Sequence, residues 1–273
     1  MKEEMLAALA SLGSPPKPGS TSITSDLSVD ESLLLHGAGF EPADLVSAVS
    51  VQSIPYGSFM TSYGQAEPLE VTYASQAVTG AFRAGAARLR ELCARSGGSG
   101  VVGVDVDVEI GVLSTRVAFT GTAIRPIGGA SKTSPRPFVT DLSTKDFVLL
   151  MRSGWEPVDL ATGASFVAAP YQRLRQSLAQ TTQNIELPNL TQAFQDAREL
   201  AMERMQHDAL GASAQGIVDV TIIDGPLGHA RHVFAFICYG TAVRLVAERH
   251  RLIAPDLVLP LDDHAGFEAT SLR

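Results

Sequence analysis

The sequence predicts an α+β fold made of two homologous α-β-α-β-β units, each a two-layer sandwich of helices on an antiparallel sheet. The first observation is a repeat: residues 25–56 and 140–171 share Asp-Leu-Ser, Gly-aromatic-Glu-Pro and Pro-Tyr in the same order, 115 positions apart. The second is that each copy continues with one segment of helical periodicity and two segments of alternating apolar residues. A match at one constant offset, without gaps, indicates a tandem duplication.

The duplication divides the chain into five parts. We expect a flexible N-terminal arm at 1–21, unit 1 at 22–127, a linker at 128–137, unit 2 at 138–247 and a C-terminal tail at 248–273. The arm ends in a run rich in Pro and Gly, and the linker is rich in Gly, Ser and Pro, which are compositions typical of hinges and flexible connections. The tail has no sustained period, so we expect it to be poorly ordered.

Each unit begins with a helix-start signal. Ser28 is followed three residues later by Glu31, which matches the capping-box pattern, and Ser143 is followed at the same spacing by Asp146. We therefore predict a short helix in each unit that ends at the Gly-aromatic-Glu-Pro element. The apolar, β-branched stretch after each element predicts a strand, over 45–54 and 160–168.

A long amphipathic helix is predicted next in each unit. Apolar or small residues recur on one helical face from Val78 in unit 1 and from Leu190 in unit 2. Pro188 marks a break ahead of the second helix, so residues 171–183 are predicted to form a separate helical piece.

Two strands close each unit. In unit 1 the alternating residues, which we expect to share the face that packs on the long helix, are Val102, Val104, Val106, Val108 and Ile110. Their predicted equivalents in unit 2 are Val218, Val220 and Ile222. The partner strands, at 116–125 and 232–244, both end in Gly-Thr-Ala followed by an aliphatic residue and Arg.

Charge and composition argue against several classes of function. The net charge is -8, and the 21 Lys and Arg residues form no basic stripe, which disfavours nucleic acid and anionic membranes as partners. Cys93 and Cys238 lie in unrelated contexts and are predicted to be free and buried. The acidic N-terminus is unlike a signal peptide, and no apolar run is long enough to span a bilayer, so we expect a cytoplasmic protein.

The second half of each unit resembles a known family. In unit 2 the relevant stretches are Ala-Arg-Glu-Leu-Ala at 197–201, Leu-Gly-Ala at 210–212, Gly-Ile-Val at 216–218 and Gly-Thr-Ala-Val at 240–243. Unit 1 echoes them at 100–107 and 121–124. Over about 80–126 and 191–246, the chain is similar to the YbjQ-type domain, a bacterial family described as "putative heavy-metal-binding". The Gly-aromatic-Glu-Pro element matches no motif of that family.

The resemblance implies a β-α-β-β core of dodecin-like layout and ring-shaped homo-oligomers, commonly pentamers, without an established activity. It therefore predicts that the chain's partner is itself. We expect the two units to mimic neighbours in a single-domain ring, with their sheets joined edge to edge. Five chains carrying ten units are the assembly that we favour.

The first candidate metal site is the row Asp105, Asp107 and Glu109. Strand geometry places the three carboxylates on one sheet face, about 6.5–7 Å apart. Oxygen ligands at this spacing suit Ca²⁺, Mg²⁺ or Mn²⁺ better than a soft heavy metal. The alternative is a solvated polar face. The sequence alignment places Asp219, Thr221 and Ile223 at the equivalent positions of unit 2, so the row is not duplicated.

The second candidate is the histidine pair His229 and His232, in a predicted hairpin loop at 225–232. Two histidines three residues apart can share a metal ion, but no Cys or carboxylate pair completes a tetrahedral set. A surface loop with two titratable side chains is the alternative. No Cys-x-x-Cys motif is present, which weakens the case for a soft metal.

Phe40 and Trp155 occupy the same place in the Gly-aromatic-Glu-Pro element of each unit. Such an aromatic residue either stacks on a flat ligand or anchors a turn against the core, and we favour the anchor.

No catalytic constellation is evident. The Gly-rich segment 97–100 follows a helix and precedes a strand, which suits a helix C-cap rather than a phosphate loop. The sequence therefore favours a non-enzymatic oligomeric binding or assembly protein that binds a divalent metal ion. The alternative is a small-ligand-binding protein, or an enzyme, with its site at a subunit interface.

Overall fold

The computed structural model describes residues 24–60, 67–128, 136–170 and 187–251. The predicted N-terminal arm, the predicted helical piece at 171–183 and all of the tail beyond residue 251 lie outside these residues.

The described elements follow the predicted α-β-α-β-β order in each half, with one additional short strand per half. The first half contains α1 (Val29–Gly37), β1 (Phe40–Ser53), β2 (Leu69–Glu70), α2 (Thr72–Arg95), β3 (Gly100–Ile110) and β4 (Ser114–Pro126). The second half contains β5 (Phe138–Val139), α3 (Thr144–Arg152), β6 (Trp155–Ala168), α4 (Pro188–Gly211), β7 (Gly216–Leu227) and β8 (Ala230–Leu245).

The helix starts form as the sequence predicts. Ser28 and Glu31 form a complete capping box at α1, in which the Glu31 amide donates to Ser28 Oγ and the Ser28 amide donates to Glu31 Oε2. Ser143 caps α3 through the Asp146 amide. Capping satisfies amides that the first helical turn leaves without intrahelical partners.

The first strand of each unit begins earlier than predicted, at the aromatic residue itself. Gly39 (φ 86°) and Gly154 (φ 89°) turn the chain directly from helix to strand, a left-handed conformation that glycine adopts without strain. A β-bulge directly after Pro42, and another after Pro157, accommodates the proline within the strand.

The strands form two separate four-stranded sheets. Sheet A has the order β1-β4-β3-β5 and sheet B the order β2-β6-β8-β7. All pairings are antiparallel except that between β3 and β5. The expectation that the two units join edge to edge is therefore wrong: each unit instead adds a two-residue strand to the edge of the other unit's sheet.

The two units stack face to face, in the order sheet A, α2, sheet B, α4. Helix α2 packs against β1 and β4 on one side and β6 on the other, and α4 packs against β6 and β8. Phe82 of α2 contacts both sheets, with ring centroids 5.6 Å from Phe119 of β4 and 5.6 Å from Tyr239 of β8. The main hydrophobic core is thus shared between the units.

The predicted alternation along β3 is interrupted by a bulge. Gly103 (φ 62°) lies in it, so Val104, Val106 and Val108 face α2 whereas Val102 faces a separate cluster beside α1 and α3. The same bulge recurs in β7 at Asp219 (φ 55°).

The prediction that β7 packs on the helix is wrong in part. Val220 and Ile222 are exposed because α4 lies over β6 and β8, the two central strands of sheet B. Strand β7 is therefore an edge strand with apolar side chains open to solvent.

Residues that define the repeat contact one another inside each unit. Glu41 of the Gly-aromatic-Glu-Pro element accepts from Arg125 at 2.7 Å, and Glu156 pairs with Arg244 at the matching place. In each unit a single aliphatic residue separates this arginine from the Gly-Thr-Ala segment. The repeated motifs thus lie on neighbouring strands and hold their ends together.

Both cysteines are free and buried, as predicted. Burial raises the pKa of Cys93 to about 12 and that of Cys238 to about 11, so neither thiol is a nucleophile at neutral pH. Among the described helices, none is long and apolar enough to cross a membrane.

Helix α4 lies in direct contact with the backbone of β6 at Gly163. A methyl group at this glycine would lie 1.9 Å from the Ala201 carbonyl oxygen and 2.7 Å from the Met205 amide nitrogen. Both atoms belong to helix backbone, which cannot move aside as a flexible side chain does.

We expect the substitution Gly163→Ala to lower the free energy of unfolding by about 3 kcal/mol or more, because the added methyl group must push α4 away from sheet B. Urea unfolding followed by circular dichroism measures the change. Gly37→Ala is the control: Gly37 is helical and has no atom within 4 Å of the added methyl group, so stability should be unchanged or slightly higher. Equal stability of Gly163→Ala and wild type would contradict the close packing.

Candidate functional site

The predicted acidic row lies on the outer face of sheet A. Asp105, Asp107 and Glu109 are exposed on β3, as the alternation predicts. Arg116 of β4 forms ion pairs with Asp107 at 2.8 Å and with Glu109 at 3.3 Å. Any cation bound here would therefore compete with a guanidinium group.

The register of unit 2 differs from the sequence alignment. Asp105 lies opposite Thr120, and its structural equivalent is the residue opposite Tyr239, which is Thr221. The true counterparts of the row are therefore Thr221, Ile223 and Gly225. The row is not duplicated, as expected, although the alignment behind that expectation was wrong by two positions.

The two histidines lie at the hairpin between β7 and β8. The His229 ring meets the Phe59 ring edge to face, with centroids 5.0 Å apart, and the His232 carbonyl accepts from the Ala169 amide at 2.7 Å. In the part of the chain that the structure describes, no three His, Cys, Asp or Glu side chains converge to hold a metal ion. The acidic row and the histidine pair are thus not brought together.

The repeated aromatic residues have different surroundings. Phe40 packs edge to face on Phe147 at 5.6 Å, and Phe147 stacks on Phe138 at 5.7 Å. Phe40 is therefore a packing anchor. The Trp155 indole instead donates a hydrogen bond to His250 Nδ1 at 3.0 Å.

A groove between α2 and α4 runs along the edge of β6. Strand β2 covers this edge only at Val167 and Ala168. Three adjoining cavities of about 270, 310 and 710 Å³ make up the groove, and Arg83 lines all of them. We call this feature the inter-helix groove; its central residues are Arg83, Arg136, Asp159, Thr162 and Asp208.

Side chains complete the hydrogen bonding of the β6 edge inside the groove. Asp159 accepts from the Leu160 amide at 2.9 Å, and Asp208 of α4 accepts from the Thr162 amide at 3.2 Å. Further along, Arg204 donates to the Ala164 carbonyl at 2.8 Å. The edge is therefore closed to another strand by charged side chains.

Ion pairs tie these side chains to both units. Asp159 accepts from Arg90 of α2 and, at 2.7 Å, from Arg136. Arg204 of α4 forms a bidentate pair with Glu70 of β2. Burial acts to raise the pKa of Glu70, but hydrogen bonds from Arg204 and Ser75 outweigh it and hold the pKa below its ordinary value.

A partly buried carboxyl, that of Asp141, lies at the start of unit 2. Asp141 accepts a hydrogen bond from Thr241 Oγ1, which also contacts Thr140 Oγ1 at 2.6 Å. Burial raises the pKa of Asp141 to about 6 against the effect of the Thr241 hydrogen bond, and the negative charge of Asp219 adds to the rise.

Equivalent faces of the two sheets differ in whether a helix covers them. Leu45, Val49 and Val51 on β1 are 37%, 41% and 61% exposed. Their equivalents on β6 are Leu160, Ala164 and Phe166, all buried because α2 covers this face of sheet B. Sheet A carries no such helix layer over these strands in the described chain. We call the exposed surface of Leu45, Val49, Val51, Asp107 and Glu109 the open face.

Neither the groove nor the open face was predicted from the sequence. The groove is assembled from β6, α2, α4 and Arg136, which lies in the predicted linker. Residues from four separate segments leave no spacing signal along the chain. A strand whose face is exposed and a strand whose face is covered by a helix show the same alternation of residues in the sequence. The open face could therefore not be predicted from that alternation.

Two comparisons with known proteins bear on these features. A family model described as "putative heavy-metal-binding" matches residues 169–246, which confirms the resemblance for unit 2. The encapsulin nanocompartment protein Rv1762c of Mycobacterium tuberculosis (strain ATCC 25618 / H37Rv) is 35% identical over 254 residues. That alignment covers 88% of this chain and 92% of the relative.

We expect Asp141→Asn to become more stable relative to wild type as the pH rises from about 4 to about 7. The folded chain keeps the Asp141 proton up to pH near 6, whereas the unfolded chain loses it near 3.8, so wild type loses stability across this window. At pH values above this window, the Asp141→Asn variant should be more stable than wild type by on the order of 2 kcal/mol. Urea unfolding at a series of pH values measures the difference.

The control for this experiment is Asp224→Asn, which removes an exposed carboxylate on β7. It should leave the pH dependence of stability close to that of wild type. A constant difference between Asp141→Asn and wild type from pH 4 to 7 would contradict the role of the partly buried Asp141 carboxyl.

Proposed function

Because the chain belongs to the family of the encapsulin nanocompartment protein Rv1762c, we propose that it is a non-enzymatic protein that assembles with further copies of itself. The support from comparison is similarity along nearly the whole chain to a relative whose name describes a compartment protein. The support from structure is the open face, an apolar strip on sheet A whose equivalent in unit 2 is covered.

The chain itself provides an example of what covers this face. In unit 2, α2 of the neighbouring unit places Phe82 and Ser75 on the equivalent surface, where Ser75 Oγ accepts from the Phe166 amide at 3.1 Å. The natural occupant of the open face is therefore another element of the same fold, supplied by a second copy. Exposed apolar strips of this kind mark interaction surfaces.

Exposed apolar side chains on two outer strands support the same conclusion, although Arg88 already donates to the Val49 carbonyl on β1. Strand β1 is one of the two outer strands of sheet A, and β7 is one of the two outer strands of sheet B. Both are long and carry exposed apolar side chains, including Val51 on β1 and Ile222 on β7. A contact that joins two different surfaces of each copy closes into a ring when the rotation between neighbouring copies permits it. The family resemblance implies five copies in that ring.

We expect wild-type protein in solution to have a mass well above the 28.8 kDa of a single chain. The substitution Val51→Glu should lower the mass in solution toward that of the single chain. Val51 is 61% exposed in the single chain, so the substitution should not impair folding, but it places a charge in the proposed interface. Size-exclusion chromatography with light scattering measures the mass.

Leu210→Glu is the matched control for this experiment. Leu210 is also exposed, but it lies on α4 at the opposite side of the stack. This variant should keep the mass of wild type. A wild-type mass of a single chain, or dissociation by Leu210→Glu and not by Val51→Glu, would refute assembly through the open face.

We further propose that the acidic row of the open face gives the chain a capacity for divalent metal ions. The description of the matching family supports metal binding in general, and the row is the set of oxygen ligands that the sequence predicts for a hard ion. The histidine pair at the β7–β8 hairpin is the alternative location.

We expect calorimetric titration with Mn²⁺ to show binding that Asp107→Asn combined with Glu109→Gln abolishes. Arg116→Gln should tighten binding, because it removes the cation that pairs with both carboxylates. His229→Ala combined with His232→Ala is the control and should leave Mn²⁺ binding unchanged. Absence of Mn²⁺ binding, or its loss in the histidine variant alone, would refute the acidic row as the site.

A further inference from the structure

Two contacts join the units within one chain. In the first, α2 of unit 1 lies on sheet B of unit 2. In the second, the segment 138–142 at the start of unit 2 lies along the edge of β3 in unit 1. There the Thr140 amide donates to the Val101 carbonyl at 3.0 Å, and the Val104 amide donates to the Thr140 carbonyl at 3.1 Å. Each unit thus contributes a different surface to this interface.

Unit 1 exposes the surface that unit 2 buries in this interface. Val29 and Leu33 of α1 are 76% and 41% exposed. Their counterparts 115 positions further on, Thr144 and Val148 of α3, are 1% and 2% exposed. Val148 is buried in a cluster that includes Val102 of unit 1. The open face of sheet A differs from the covered face of sheet B in the same way.

The segment 24–27 is placed on unit 1 as the segment that pairs with β3 is placed on unit 2. The Asp26 amide donates to Thr122 Oγ1 of β4 at 3.2 Å. Asp141 accepts a hydrogen bond from Thr241 of β8, the threonine of the matching Gly-Thr-Ala segment. Each segment is therefore fixed to the sheet of its own unit, and the segment 24–27 can pair with the edge of another sheet.

Unit 2 in turn carries the surface that unit 1 uses, on α4 and β7. Helices α2 and α4 have 24 residues each. The turns that follow them, at Gly97 (φ 73°) and Ser213 (φ 61°), are 116 positions apart. The same spacing matches β3 with β7, which is paired with β8 alone among the described strands. It also places Arg198 of α4 where α2 has Phe82.

The charges of these two exposed surfaces are complementary. Phe82 meets Tyr239 of sheet B within the chain, and Thr120 holds the register position of Tyr239 in sheet A. Asp105 lies directly opposite Thr120, so the two side chains share the outer face of sheet A. If α4 lay on this face as α2 lies on sheet B, Arg198 would be next to Asp105. Both residues are exposed, and neither forms an ion pair with another described residue.

We propose that copies of the chain join head to tail by repeating the contact between the two units. The outward side of α4 and the edge of β7 in one copy bind the open face, α1 and the segment 24–27 of the next copy. An ion pair between Arg198 and Asp105 forms across this contact. Because one chain exposes both surfaces, a second copy provides the partner of each. This inference rests on the proposed assembly and names the surface that covers the open face.

The experiment measures the mass of the full chain in solution after charge reversal at the two positions. Arg198→Asp and Asp105→Arg should each weaken association about tenfold or more and lower the mass toward that of a single chain, because each brings like charges together. The double variant, with both substitutions, should recover the wild-type mass, because it restores a pair of opposite charges. Light scattering gives the mass, and circular dichroism checks that each variant is folded.

Leu210→Glu is again the control. Its counterpart on α2, Ala94, stays exposed within the chain, so the variant should keep the wild-type mass. A wild-type mass of a single chain would refute assembly itself. If wild type assembles and Val51→Glu dissociates it, wild-type mass in Arg198→Asp would overturn the head-to-tail contact alone. Failure of the double variant to recover the wild-type mass would also overturn it.

Discussion

The burial of α2 on two sides is the constraint on which the rest of the structure depends. A helix between two sheets must present an apolar or small surface to each, and α2 does so with Gly85 packed under Phe119 on one side and Phe82 reaching Tyr239 on the other. The two units consequently share one core. Neither unit can lose this helix without exposing a sheet, since the unit 1 helix is also the cover of the unit 2 sheet.

This stacking makes the two similar units unequal. Sheet B is covered by α2 on one face and α4 on the other, so β6 is buried along nearly its whole length. Sheet A has α2 on its inner face, and its outer face keeps Leu45, Val49 and Val51 in solvent. The asymmetry follows from the number of layers in the described chain: two sheets and two long helices, stacked alternately, leave one sheet face at the end. The open face arises there without any new element.

The same stacking creates the inter-helix groove. Because α2 and α4 lie on opposite faces of sheet B, their side chains meet beyond the edge of β6, where Arg83 pairs with Asp208. Charged side chains occupy the backbone groups of that edge, which prevents pairing with another strand. The ion pairs around Asp159 also link α2, β6 and Arg136. The open face and the inter-helix groove thus have separate locations, one at the end of the stack and one between its layers.

Local signals in the sequence determined the elements of this protein, and tertiary structure alone decided how they are arranged. Some signals depend only on neighbouring residues: the Ser28 capping box, the helical period from Val78 and the alternation along β3. These signals predicted the α-β-α-β-β order and the exposed acidic row. Strict alternation did not predict the bulge at Gly103, which moves Val102 to another cluster. Stacking of the units, the open face and the groove depend on contacts between residues about 70 to 125 positions apart, such as Arg90 with Asp159 and Arg83 with Asp208. A single sequence carries no periodic trace of such contacts, because their geometry exists only once the layers have packed.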